Sequence, residues 1–238
     1  MLTTERKSLL LARLAQTGRL VARDLAAELA LSEDTIRRDL RELAAEGHLL
    51  RVHGGALPLS PTHRPMAQRQ GMQVQAKAQL AQKGAALIRP GQIVILDGGT
   101  THLALVAALP KDLPCTIITH APGIAAALEP FPKIEVILIG GRLMRHSMVA
   151  MGAETTASFA RIRADLCFLG VTGVHPETGL TTGDAEEAAL KRIMLGQAAE
   201  GVVLATEDKL GTSSPWGIAG LNTVRVVTTG DRPVWLGA

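Results

Sequence analysis

From residue 93 onward the chain carries a series of short, unbroken apolar runs: Ile93–Leu96, Thr116–Ile118, Ile134–Ile139, Leu166–Leu169, Val202–Leu204 and Val224–Val227. A strand with one wet face alternates apolar and polar residues, so unbroken runs belong to strands covered on both faces. Ala/Leu-rich stretches of helical character lie between several of them, at His102–Leu109, Ile124–Leu128 and Asp184–Ala199. Strand alternating with helix predicts an α/β fold built on a mostly parallel sheet. With 47% apolar and 20% charged residues, the chain has the material for a core.

The first fifty residues follow another pattern. Leu9, Leu10 and Leu14 recur at helical spacing after Thr3-Thr4, which can cap, and Gly18 ends that helix. A second short helix is expected over about Ala22–Ala30. A third starts at Ser32, a good N-cap followed by Glu33 and Asp34, and ends at Gly47; its apolar stripe is Ile36, Leu40, Leu43 and Ala44. His48–Leu57 reads as two short strands around Gly54-Gly55. Residues 58–75 then turn polar, with three prolines and several glutamines, before a helix near Met72–Ala86. The 238 residues therefore divide into an N-terminal domain (1–57), a linker (58–74) and a larger α/β domain (75–238).

Charge and ring content narrow the function. The formal charge is +3, all of it on residues 1–75, with 11 Lys/Arg against 8 Asp/Glu; residues 76–238 hold 14 of each. The five aromatics are Phe131, Phe159, Phe168, Trp216 and Trp235, so no Phe, Trp or Tyr platform for stacking bases precedes residue 131. That argues against a single-strand reader. The third helix suits a duplex instead. With Ile36 and Leu40 facing inward, Ser32, Thr35, Arg37, Arg38 and Arg41 occupy its other faces near its start, the layout of a recognition helix. Arginine reads guanine or grips phosphate. The hairpin after it would be a wing, with Arg51 and His53 reaching the DNA backbone. Helical spacing also lets Asp39, Glu42 and Glu46 pair with Arg38 and Arg41, as on an ordinary solvated helix.

In the larger domain, Asp97-Gly98-Gly99-Thr100-Thr101 follows an apolar strand and opens a helix. Glycines let backbone N–H groups approach an anion and the threonines add donors: a phosphate cradle by chemistry, or a plain tight turn. It matches neither the dinucleotide nor the P-loop pattern, so no cofactor is expected. Thr119-His120, Gly140-Gly141 and Gly170…Thr172-Gly173 close later strands, which gathers polar groups on one edge of the sheet, where ligands bind in open parallel sheets. Asp184 is placed to cap a helix, with Glu187 at the capping-box position. Glu187 and Lys191 are either a surface i,i+4 pair or a ligand clamp, and Lys209 is either a solvated loop lysine or a second cation for the ligand.

Two stretches carry a family resemblance. Ser32…Thr35-Ile36-Arg37-Arg38-Asp39-Leu40…Leu43…Gly47…Leu50-Arg51-Val52-His53-Gly54-Gly55-Ala56 is similar to the signature of the DeoR family of bacterial transcriptional repressors. Asp97–Thr101, Gly140-Gly141, Gly152, Asp165…Gly170, Gly179-Leu180-Thr181, Glu187…Lys191-Arg192…Met194 and Lys209…Gly211 resemble the same family's sensor domain. The resemblance implies a winged helix-turn-helix with Thr35, Arg37 and Arg38 on the DNA-facing helix. It further implies a domain like sugar-phosphate isomerases in fold that senses phosphorylated sugars or related metabolites. His120 stands where the family usually has Asn, Thr206 where many members have Asp, and Asp208 where Ser is common.

The expected function is a DNA-binding repressor whose hold on a double-stranded operator is modulated by a phosphorylated sugar or polyol. Operator binding by small winged units calls for a homodimer or homotetramer. The alternative is an isomerase-like enzyme with a fused helix-turn-helix, but Asp97, Asp184, Glu187 and Lys191 form no convincing acid–base pair by spacing, so no catalytic residue is expected. His102, His146 and His175 have no metal-ligand spacing with Cys115 or Cys167. Both cysteines sit in apolar runs, and no apolar segment reaches membrane-spanning length, so the chain reads as a cytoplasmic protein with buried thiols.

Overall fold

The computed structural model describes residues 2–52, 54–58, 65–230 and 233–236; His53 therefore lies outside the described residues. Two separate hydrophobic cores organise the chain. One is built from Leu10, Leu14, Leu25, Ile36, Leu40, Leu43 and Leu49, the other from the apolar runs after residue 80.

The first core joins α1 (Thr3–Thr17), α2 (Ala22–Glu28) and α3 (Glu33–Ala45) to a small antiparallel sheet of order β1 (Leu20–Val21), β3 (Gly55–Pro58), β2 (Leu49–Val52). β2 and β3 form the expected hairpin, and β1 adds a third strand through Leu20↔Ala56. The two residues of β1 are too few to show a sequence period. The start of α1 differs from expectation. Its N-cap is Leu2, and the Glu5 carboxylate accepts from the Leu2 backbone N–H at 3.1 Å, so Thr3 is the first helical residue. Helix α3 begins as the sequence predicts: the Ser32 hydroxyl accepts from the Thr35 N–H at 3.2 Å.

The second core surrounds a six-stranded parallel sheet of β4 (Ile93–Leu96), β5 (Cys115–Thr119), β6 (Ile134–Leu138), β9 (Ala164–Phe168), β12 (Ala198–Leu204) and β14 (Val224–Val227). These are the six apolar runs of the sequence. Helix α9 (Ala185–Gly196) stops before Ala198, three residues short of the expected end, because the strand begins there. The strand order is β14-β12-β9-β4-β5-β6. The chain therefore builds outward from β4 through β5 to β6, then returns to β9 on β4's other side and builds outward again. The reversal opens a crevice between the carboxyl ends of β4 and β9, the place where open α/β sheets bind ligands.

Several pieces attach to that edge. A hairpin, β7 (Arg142–Met144) with β8 (Val149–Met151), and α8 (Ala153–Phe159) follow β6. A three-stranded antiparallel sheet of β10 (Gly173–His175), β11 (Gly179–Thr182) and β13 (Trp216–Ala219) follows β9. Helices α6 (Thr100–Ala107) and α7 (Pro122–Ala127) connect β4, β5 and β6, and α5 (Val74–Ala85) packs against α6. Among the described residues, the stretch read as linker contains one short helical turn, α4 (Met66–Arg69).

Candidate functional site

On the N-terminal domain, α3 separates its charges by face. Asp39 is buried, and both its oxygens accept from the Arg6 guanidinium of α1, Oδ1 from Nη2 at 3.0 Å. Lys7 of the same helix holds Glu46 at 2.7 Å and Glu42 at 3.1 Å. Asp39 and Glu46 thus serve the α1–α3 seam, and the pairing of these two with Arg38 and Arg41 is not what forms. Arg37, Arg38, Arg41 and Arg51 are all exposed. Arg37 donates to Glu33 at 2.5 Å and Arg38 to Glu42 at 3.1 Å. Ser32 and Thr35 sit at the helix start with their hydroxyls 2.8 Å apart.

The second site is a cavity of about 400 Å³ at the crevice between β4 and β9. Its floor is organised by Asp97, buried at the end of β4. Asp97 Oδ1 accepts from the Gly98 N–H at 2.6 Å and faces His120 Nε2 at 2.9 Å; Oδ2 accepts from the Gly170 N–H at 2.8 Å and from Lys191 Nζ at 2.5 Å. Burial alone would raise the Asp97 pKa, but the Lys191 ammonium and the His120 hydrogen bond outweigh it and hold the carboxyl well below the usual carboxylate range. Lys191 is the mirror case: burial would lower its pKa, and Asp97 and Glu187 together raise it. Gly170 fits closely here: a Cβ would lie 3.1 Å from both Asp97 Oδ2 and the Gly98 carbonyl, so a side chain would have to push these groups back by a few tenths of an ångström.

Helix α6 points its N-terminus into the same cavity. Its cap, Gly99, has φ 125°, a conformation side-chain-bearing residues rarely adopt, which leaves the first-turn N–H groups beside the cavity wall formed by Thr100 and Thr101. His102 lies against the Asp97 carbonyl through Nδ1 at 2.8 Å, and burial lowers its pKa, so the ring is neutral with Nδ1–H donating. Across the cavity, Glu187 does not close a capping box. Asp184 caps α9 by accepting from the Glu187 N–H at 2.9 Å, but the Glu187 carboxylate turns to the Thr182 hydroxyl and, at 3.4 Å, to Lys191. Burial pushes the Lys209 ammonium down to about 8; Asp208 pulls it back, while Arg69, Lys191 and Lys77 push it further down.

A family model described as the DeoR C terminal sensor domain matches residues 72–231, and one described as a DeoR-like helix-turn-helix domain matches residues 6–62. The chain belongs to the DeoR family. It is a transcriptional regulator in which a helix-turn-helix DNA-binding domain is joined to a sensor domain. It is 33% identical to the uncharacterized HTH-type transcriptional regulator FruR of Bacillus subtilis, over 96% of this chain and 92% of the relative. It is 29% identical to the glycerol-3-phosphate regulon repressor of Escherichia coli, over 97% of this chain and 92% of the relative. Among solved structures, ribose 5-phosphate isomerase A of Methanocaldococcus jannaschii aligns with a TM-score of 0.41 and 19% identity, over 56% of this chain and 53% of that one.

Within this DeoR-family sensor domain, the cavity brings together Asp97, Gly98, Gly99, Thr100, Thr101, Glu187, Lys191 and Lys209. Thr119, His120, Gly140 and Gly141 are not part of its lining. Thr119 turns inward, its hydroxyl accepting from the Ala121 N–H at 3.1 Å. His120 is wedged between the Ala150 carbonyl at 2.7 Å and Asp97, edge-on to Phe159, so it supports Asp97 from behind. The Gly140 carbonyl accepts from the Thr155 hydroxyl at 2.8 Å, which turns the Gly140-Gly141 pair toward α8. The lining also includes residues for which the sequence offered little signal: Arg69 from the linker, His146 and Ser147 from the β7–β8 turn, and Ser214, whose hydroxyl accepts from Thr172 at 2.6 Å. Their positions are set by tertiary contacts between segments far apart in the chain, which no local pattern encodes. Among the described residues, no helix is long and apolar enough to cross a membrane, and no group of His, Cys, Asp and Glu could hold a metal ion. Cys115 and Cys167 are free and buried.

Proposed function

We propose that the cavity binds a phosphorylated sugar or polyol, and that its occupancy weakens the grip of the winged domain on a double-stranded operator, making the protein a metabolite-released repressor. One observation carries the reading: the N-terminus of α6 and the ammonium groups of Lys191 and Lys209 converge on one small cavity at the sheet's reversal point. Asp97 is spent on Lys191, Gly98, Gly170 and His120, so its charge does not repel an incoming anion as an unpaired carboxylate would. Thr182 and Glu187, bonded to each other, line the same cavity and give its wall a polar character suited to sugar hydroxyls. The carboxylates are tied up in these bonds and present no unengaged base, which favours binding without turnover over isomerase chemistry.

On the DNA side, Ser32, Thr35, Arg37, Arg38 and Arg41 are assigned to the major groove and its flanking phosphates, and Arg51, with His53 beyond the described residues, to the wing's backbone contacts. The exposed i,i+4 partners of Arg37 and Arg38 hold these guanidinia weakly, so phosphate can replace them. The repressor is read as acting in the cytoplasm as a dimer or tetramer, since one winged unit offers few contacts. The test is a mobility-shift titration on the DNA upstream of the protein's own gene, with a panel of sugar phosphates and their unphosphorylated counterparts. Release by a phosphorylated compound alone is expected. Release by an unphosphorylated sugar, with no effect of any phosphate ester, would sink the reading.

A further inference from the structure

The effector cavity is not built from the sensor domain alone. Arg69, the last residue of the linker turn α4, forms part of its wall beside Lys209, Lys191 and Glu187. The turn is anchored at both ends. The Met66 N–H donates to the His146 carbonyl at 3.1 Å, and the Met66 side chain is buried. The Arg69 carbonyl accepts from the buried Lys77 ammonium of α5 at 2.7 Å. His146 in turn sits in the β7–β8 turn, which also lines the cavity. A residue of the segment that leads from the wing is thus held in place over the ligand site, by contacts to two separate parts of the sensor domain.

We propose that Arg69 is an effector-binding residue that grips the ligand's anionic group together with Lys209, so that the linker itself reads cavity occupancy and passes it to the DNA-binding domain. The inference rests on the phosphorylated-effector reading above. Guanidinium geometry matches a phosphate bidentately, whereas ammonium groups act as point charges. Arg69, Lys191 and Lys77 all press on Lys209 and lower its pKa, a mutual repulsion that an anion bound among them relieves. Desolvation works on Arg69 as well, lowering its pKa against the pull of Glu187. A dianionic phosphate between Arg69 and Lys209 would offset both costs. Because α4 follows β3, which ends at Pro58, and precedes α5, Arg69 lies on the chain path between the winged domain and the cavity. A ligand can act at the operator only if it binds the two states unequally, and a contact donated by the linker supplies such a difference.

The experiment uses the full chain. Wild type, Arg69→Ala and Arg69→Lys are titrated by calorimetry with inorganic phosphate, glycerol 3-phosphate, fructose 1-phosphate and ribose 5-phosphate, and thermal melts check that each variant folds. Operator affinity is measured for every variant without ligand, and release is expressed relative to that value. For the tightest phosphate ester on wild type, Arg69→Ala is expected to lose about tenfold or more in affinity, the loss expected of a charge-assisted bond. Arg69→Lys should recover part of the binding but less of the operator release. If wild type binds an ester and Arg69→Ala binds it equally well, the proposal falls while the cavity reading stands. If affinity drops but saturating ester still releases Arg69→Ala from the operator as it does wild type, the linker's signalling role falls. If wild type binds none of the phosphates, the cavity reading fails and this inference fails with it. Should Arg69→Ala not fold, the comparison of Arg69→Lys with wild type decides the same points.

Discussion

Helices α3 and α9 carry ion pairs at the same spacing and put them to opposite uses. On α3, Arg38 reaches Glu42 and Arg37 reaches Glu33, each pair four residues apart and largely in water; Arg38 is 77% exposed. On α9, Lys191 stands four residues from Glu187, but it is 5% exposed and its shorter bond goes to Asp97, on another element. In water an i,i+4 pair is weak and is exchanged for a phosphate at little cost. In the sheet crevice the same spacing becomes part of a desolvated network that cannot lose a member without stranding a charge. The exposed face of α3 therefore holds its arginines in pairs that exchange readily, while the acids of its α1-facing side and those of α9 are kept by buried or cross-element partners.

The sharpest way to break this contrast is Asp97→Asn. It leaves the Lys191 ammonium buried against one carboxylate at 3.4 Å, and a loss of about 3–5 kcal/mol in the sensor domain's urea transition is expected. Adding Lys191→Met should restore part of that loss; a double variant as unstable as the single one would show that the pair itself is not what matters. The same pair fixes the acid limb of stability. The folded Asp97 pKa lies below its unfolded value, so its contribution is complete above about pH 4 and is lost as the pH falls toward the folded value. Asp97→Asn should flatten that limb.

Next in size are Arg37→Ala and Arg38→Ala, measured by operator binding at several salt concentrations. A base-reading arginine costs roughly 1–3 kcal/mol and relaxes sequence preference; a phosphate-gripping one lowers the salt slope by about one. Operator affinity unchanged in both would move the DNA surface off α3. A smaller effect is expected at Lys209, whose ammonium is pushed by burial down to about 8. Effector affinity should fall by up to about tenfold between pH 7 and 9 as that charge is lost, and Lys209→Arg should remove the dependence. Smallest of all is Glu33→Gln, which loosens Arg37, leaving its longer contact to Asp34 at 3.7 Å, without touching a core. Its melt should shift by less than about 1 kcal/mol in stability, with operator affinity equal to or above wild type. A large destabilisation there would erase the distinction between the two helices.

Much of the scaffold could be read from local pattern. The six strands of the parallel sheet are the six apolar runs, and the Ser32 and Asp184 caps lie where a short polar side chain precedes an acidic first turn. The antiparallel pieces on the ligand edge were not legible. β7, β8 and β10 are three residues each, and Gly179–Thr182 and Trp216–Ala219 mix glycine, threonine and apolar residues with no period-two alternation. The α1–α3 seam was hidden for another reason. Asp39 looks like its charged neighbours in the sequence, and only the approach of Arg6 from 33 residues away makes it a core residue.

By itself the sequence determined the six strands of the parallel sheet and the main helices, because burial on both faces and capping are short-range demands written into neighbouring residues. It also determined the split between a basic N-terminal domain without Phe, Trp or Tyr and a neutral sensor, and the place of the glycine–threonine turn after β4. The tertiary structure alone decided what those residues do. The strand order set β4 beside β9 and so created the crevice. Folding carried Lys191 to Asp97 across 94 residues, turned His120 and Gly140-Gly141 away from the cavity, and brought Arg69 from the linker into it. A charge's partner depends on which distant segment displaces its water, and that is settled only when the chain closes on itself.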